Sequence, residues 1–218
     1  MKGLRRFAAA ALLTVVTVPL ASCGGSSISY PSIKFVGNDS CPTAGASPYS
    51  PSPPEVNGDK IVGQAIDEMP HIHVNPPAKV QYNHNPPTSG CHYSLTGADP
   101  APIQPGVYNQ PVQTEYWVHN LEHGYVAVLY NCPTGCSDAV QALINWHKTL
   151  PPDPGAAAQQ SGVVTYAKLI VLPYASMPVK FAAVSWDYYE GWNTFDLNGI
   201  EAFYNNHIGH APEGAMSQ

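Results

Sequence analysis

Charge is scarce in this chain. Charged side chains make up 11% of its 218 residues, and only nine of them are lysine or arginine. No basic stripe exists to bind a phosphate backbone, which argues against a nucleic-acid partner. Long apolar runs are missing beyond residue 23. A membrane-spanning helix needs about 20 apolar residues, so none is expected there. Cysteine is also sparse, at five residues.

Histidine and proline are the residues present in strength, at 9 and 23. Six histidines (His71, His73, His84, His92, His119 and His123) fall between residues 71 and 123. Histidine is the commonest metal ligand and the usual proton carrier near neutral pH. Such crowding in a chain so poor in charge points to a site.

The N-terminus has the pattern of an export signal. Lys2, Arg5 and Arg6 form a positive start, Phe7 to Val18 an apolar stretch, and Leu20-Ala21-Ser22-Cys23 a lipobox. The apolar stretch is too short to span a bilayer. Residues 1–22 are therefore expected to be a cleaved signal peptide, with Cys23 lipidated. The lipid would be the membrane attachment, placing the protein on the extracytoplasmic side, in the periplasm or at the cell surface. Without the signal, the net charge falls to about −9.

Four cysteines remain for an oxidising compartment. Three pairings are open, and Cys132–Cys136 with Cys41–Cys91 is the favoured one. The first closes five residues, worth only about 2 kcal/mol of loop entropy, and the second about 4 kcal/mol. With all four cysteines paired, no thiolate set is left for a closed cysteine zinc site.

Residues 23–60, rich in Ser, Pro and Gly, are expected to be a tether spanning about 35 Å as a coil or about 115 Å as polyproline II. Residues 61–218 are long enough for one domain. From 70 to 112 its many prolines predict mostly loop, with short extended pieces such as Ala78–Tyr82. Strands are expected at Gln113–His119 and Tyr125–Tyr130 from β-branched and aromatic residues, then at Val163–Leu172 and Lys180–Trp186. Helices are expected over Ser137–Leu150, with a Val140/Leu143/Ile144/His147 stripe, and from Asp196 or Asn198 to His207. The expectation is an α+β domain of order β-β-α-β-β-α, two helices on an antiparallel or mixed sheet, preceded by the Pro-rich loop region.

Two stretches carry the chemistry. In Val118-His-Asn-Leu-Glu-His-Gly124, a hairpin loop at residues 120–122 would set His119 and His123 face to face with Cβ atoms about 5 Å apart, suiting one ion. His-x-x-Glu-His also fits a metallopeptidase pattern, but that pattern needs a helix, and strand-like residues flank it here. In Tyr82-Asn-His-Asn-Pro-Pro-Thr-Ser-Gly-Cys-His-Tyr93, two prolines stiffen the loop and Gly90 permits a reversal, so His84 and His92 sit on a rigid frame. Thr88 and Ser89 can donate to an anion or orient a histidine. His71-Ile-His73 alternates, so both rings point one way, either toward the site or along an exposed edge. Cys132-Pro-Thr-Gly-Cys136, between a strand and a helix, lies where thioredoxin-like proteins keep redox cysteines. The helix and strand that such a fold requires before Val163 are not evident, which favours a structural clip.

His84-Asn-Pro-Pro-Thr-Ser-Gly, His92-Tyr93, Gly106-Val-Tyr108, His119-Asn-Leu-Glu-His-Gly124 and Ala211-Pro212-Glu213 together resemble a family of exported or membrane-attached bacterial proteins known as a domain of unknown function. The resemblance covers roughly residues 60–214. It implies an extracytoplasmic location and no established reaction. In that pattern the histidines and Glu122 are central, while cysteines at 132 and 136 vary, and Cys91 is particular to this chain. The expected site is one copper or zinc ion on His84, His92, His119 and His123, with Glu122 beside it as partner or fifth ligand. The alternatives are a metal-dependent hydrolase or oxidoreductase with Glu122 as general base, and a metal-free interaction module whose histidines sense pH.

Overall fold

Three five-residue runs, Val126–Tyr130, Leu169–Pro173 and Phe181–Ser185, are almost wholly buried. Strands read this way when both faces of their sheet are covered. The computed structural model describes residues 63–133, 135–153 and 167–214, with the strand backbone at β1 (Val56–Asn57) and β2 (Lys60–Ile61). The expected signal peptide, Cys23, Cys41 and most of the expected tether lie outside the described residues.

In chain order follow β3 (Gln64–Ala65), β4 (His73–Val74), β5 (His92–Tyr93), β6 (Gly106–Val107), α1 (Thr114–Glu122), β7 (Val126–Tyr130), α2 (Ser137–His147), β8 (Leu169–Pro173), β9 (Phe181–Ser185), β10 (Tyr188–Trp192) and α3 (Leu197–His207). The main sheet runs β3-β10-β9-β7-β8-β6. It is mixed: β6, β8 and β7 are mutually parallel, β9 is antiparallel to β7, and β10 is antiparallel to both β9 and β3. A second, two-stranded parallel sheet pairs β4 with β5. No helix among the described residues is long and apolar enough to cross a membrane.

The strand alternation sorts the core into two layers. Ala127, Leu129, Ile170, Leu172, Ala182 and Val184 face α1, meeting Trp117, Val118 and Leu121. Val126, Val128, Leu169, Val171 and Ala183 face the other way, onto Leu143 and Trp146 of α2 and Ile200, Phe203 and Tyr204 of α3. The α+β class and the mixed sheet stand, but the described residues hold three helices where two were expected.

The main correction is at Gln113–His119, expected as a strand and found as α1. Trp117, Val118 and Leu121 are spaced for one helical face and are fully buried. Two polar residues are buried with them. Glu115 accepts the Val80 N–H at 2.9 Å, and Asn120 bonds both the N–H and the carbonyl of Ile103. These tertiary contacts outweigh the weak strand preference of Tyr116-Trp117-Val118. The β-β-α-β-β-α order fails for that reason, and because β10 forms where no strand was expected. The Pro-rich segment is not simply a loop ahead of the domain, since it supplies β4, β5 and β6.

Smaller differences have local causes. The buried face of α2 is Ala139, Leu143 and Trp146, a stripe rotated from the expected one. Residue Cys136 occupies the N-cap, where Ser137 was expected to act. Asp196 caps α3, accepting the Gly199 N–H at 3.1 Å.

Asp187, between β9 and β10, is fully buried with φ 63°. Burial, then the charge of Glu68, push its carboxyl up to about 8, against a weaker lowering by Ser89. An acid whose folded pKa lies above its unfolded value opposes folding once ionised, so its penalty grows from about pH 4 to pH 8. Asp187→Asn keeps the shape, and asparagine tolerates a positive φ. The variant is expected to match the parent near pH 4 and exceed it by on the order of 3 kcal/mol at pH 8. Urea unfolding at both pH values measures this, and an equal pH dependence in both proteins would refute it.

Candidate metal centre

α1 ends in a tight reversal. Gly124 donates to the Leu121 carbonyl at 2.9 Å and Tyr125 to the Asn120 carbonyl at 3.0 Å. This is the Schellman pattern, with glycine at the left-handed position, φ 79°. The C-terminal segment then docks on the helix end, Gly209 donating to the Gly124 carbonyl and Glu213 to the Glu122 carbonyl. Glu122 is thereby buried as the last residue of α1.

Around it stand four histidines. His71 Nδ1 lies 2.5 Å from Glu122 Oε1. The other oxygen, Oε2, faces three Nε2 atoms: His92 at 2.9 Å, His73 at 3.8 Å and His119 at 3.9 Å. One ligand atom from each of His73, His92, His119 and Glu122 falls within 4.8 Å of the others. The parallel ladder explains half of this, since His73 and His92 are register partners in β4 and β5. The helix supplies the rest, with His119 and Glu122 one turn apart.

Two of the rings are fixed by backbone. His92 Nδ1 meets the Gly90 carbonyl at 2.8 Å, and His119 Nδ1 meets the Tyr93 carbonyl at 2.7 Å. A carbonyl only accepts, so both Nδ1 atoms carry hydrogen, and it is Nε2 of each ring that faces the centre. His92 Nε2 and Glu122 Oε2, both buried, have no hydrogen-bond partner among the described residues. Two acceptors at 2.9 Å need a cation between them, either a metal ion or a second proton on the imidazole.

The electrostatics agree. Burial, with the charges of His92 and His123 next, lowers His119 to about 3, so its imidazole is neutral at ordinary pH. Burial raises the Glu122 carboxyl, but the close approach and charge of His92 and the hydrogen bond and charge of His71 outweigh it and hold the group at about 2. A neutral imidazole and an ionised carboxylate are the forms that ligate metal.

Of the four expected ligands, the structure brings His92 and His119 together. His123 stacks on His119 with ring centroids 4.8 Å apart, but its Nδ1 turns to Glu213 at 3.5 Å. It belongs to a second group, Glu122, His123 and Glu213, also within 4.8 Å. His84 is held elsewhere, its Nδ1 on the Pro86 carbonyl at 2.6 Å and its ring 4.7 Å from that of Tyr189. Ser89 accepts the Met69 N–H, and the Thr88 carbonyl accepts the Asp187 N–H, so this loop serves as frame. The helix required by His-x-x-Glu-His is present after all. Yet neither ligand group among the described residues contains both His119 and His123, and Glu122 sits inside the ligand set.

His73 is the member that sequence reasoning left at the margin. Its signal was the His71-Ile-His73 alternation, which does put both rings on Glu122. Cys132 and Cys136 are disulfide-bonded. Cys91 is also disulfide-bonded, and Cys41, its expected partner, lies outside the described residues.

A centre of three imidazoles and one carboxylate, buried except at the exposed His73, is one that could hold a metal ion. The chain belongs to the family described as "Protein of unknown function (DUF3105)", whose model matches residues 73–218. No curated protein and no solved structure matches the chain.

Gly124 is the support on which this geometry can be tested. A Cβ there would stand 2.7 Å from Gly209 Cα, and φ 79° already disfavours a side chain. Gly124→Ala is expected to cost on the order of 3 kcal/mol, from backbone strain and the clash together. Equilibrium urea unfolding reads the loss; a change below about 1 kcal/mol would mean that the helix end is not held as described.

Proposed function

We propose that this protein is an extracytoplasmic lipoprotein, anchored through Cys23, whose folded domain binds one transition-metal ion through His73, His92, His119 and Glu122. The reading is carried by His92 Nε2 and Glu122 Oε2, both buried and 2.9 Å apart, with His92 Nδ1 already held by the Gly90 carbonyl. The ligand set exchanges the expected His84 and His123 for His73 and Glu122. Three imidazoles and a carboxylate suit zinc, which takes four nitrogen or oxygen ligands in a tetrahedron, and copper(II), which favours imidazole. His71 would then act outside the ligands, its Nδ1 holding Oε1 and aiming Oε2.

Metal content decides the matter. The full chain, purified without chelator and titrated with zinc or copper(II), is expected to hold one ion. His92→Ala and His119→Ala should each weaken binding by about 100-fold or more, and His73→Ala by about 10-fold or more. His84→Ala should leave binding unchanged. Absence of binding by a correctly folded parent chain would overturn the proposal and leave a metal-free His92–Glu122 ion pair. Equal loss in His84→Ala would overturn the ligand set.

A further inference from the structure

The Cys132–Cys136 disulfide closes only five residues of chain, a small constraint on the unfolded state of about 2 kcal/mol. Its position is more informative than its loop. It follows β7 directly and ends at Cys136, the N-cap residue of the 11-residue helix α2. Both cysteines are half-buried. They line a cavity of about 760 Å³ whose walls include Pro133, Pro178, Val179, Phe181 and Phe195. Asn131 ties the two walls together, donating to the Met177 carbonyl at 3.0 Å and to the Lys180 carbonyl at 2.8 Å.

The sheet supplies the strands of a thioredoxin-like arrangement, although residues 174–180 join β8 to β9 by turns and not by a helix. β8 lies parallel between β7 and β6, and β9 and β10 complete the other side before α3 closes the chain. Within the described residues the strand order β6-β8-β7-β9-β10, with β3 added at the edge, matches that of thioredoxin-like sheets, and the cysteine pair lies between β7 and α2, with Cys136 at the N-cap.

We infer that Cys132–Cys136 is a redox site that exchanges its disulfide with an extended cysteine-bearing peptide lying in this cavity. The substrate thiolate attacks Cys132 Sγ, forming a mixed disulfide and expelling the Cys136 thiolate. The helix N-terminus stabilises that thiolate, which makes Cys136 the better leaving group. Lys180 adds positive charge to the cavity and Asp138 opposes it. A second substrate thiol then displaces Cys132. One peptide dithiol becomes a disulfide, its two electrons and two protons passing to the cysteine pair, with no other oxidant consumed in a single turnover.

The test uses the full oxidised chain, reduced glutathione and a synthetic peptide with two cysteines as probes. The Cys91 disulfide, fully buried at Cys91, is the internal reference. Thiols are trapped by alkylation and identified by peptide mass. Cys132–Cys136 is expected to be reduced at least 100-fold faster than the Cys91 bridge, with unchanged circular dichroism, and to oxidise one equivalent of peptide. Cys136→Ser should capture glutathione on Cys132 when treated with glutathione disulfide. Reduction no faster than at Cys91, or reduction that unfolds the domain, would make the bridge a structural clip and overturn the inference. Because these measurements use the parent chain, they stand even where a cysteine variant fails to fold.

Discussion

The Glu122 carboxylate is the constraint to which the rest of this structure answers. It is buried, it is ionised, and it stands at the C-terminal end of a helix, where the backbone dipole is already negative. Each of these placements costs free energy, and none helps α1 to form. Compensation has to come from outside the helix backbone. It comes as four imidazoles, two of them from the residues around β4, one from β5 and one from the preceding turn of α1. A fold with no use for the charge would be more stable with an apolar residue at this position.

The same constraint accounts for features that seem unrelated. β4 and β5 are only two residues long, yet their parallel register is what puts His73 beside His92. The carbonyls of Gly90 and Tyr93 are not spent on the main sheet, and they fix the tautomers of His92 and His119. The C-terminal segment seals the helix end through Gly209 and Glu213, reaching the turn that only a glycine at 124 allows. Short, individually weak elements are held in place because they converge on one group.

The sequence marked where the chemistry is more clearly than how it is built. Histidine crowding and the two motifs located the centre, and His92 and His119 are in it. The error over α1 arose from treating aromatic and β-branched residues as a strand signal when Trp117, Val118 and Leu121 also fit a helical face. Gly124 was the available clue, since a glycine just past a periodic stretch is a helix stop. His73 was harder to see, because its pairing with His92 spans 19 positions and leaves no local pattern. β10 was missed for a similar reason. Tyr188-Tyr-Glu-Gly-Trp192 has no alternation of its own and is a strand only because β9 lies beside it.

The histidine centre and the cysteine pair are joined by β7 and separated by it. The helix end at Gly124 leads into Val126, and the strand emerges at Tyr130 two residues before Cys132. Five strand residues advance the chain by about 17 Å, so an ion among the histidines cannot also be ligated by the cysteines. The two groups also lie in different surroundings. The histidine centre has His92, His119 and Glu122 buried and reaches the surface at His73, whereas the cysteines line a cavity with both apolar and polar walls. If both proposals hold, the two chemistries are independent, one at β4, β5 and α1 and the other beyond β7, and loss of either is expected to leave the other intact.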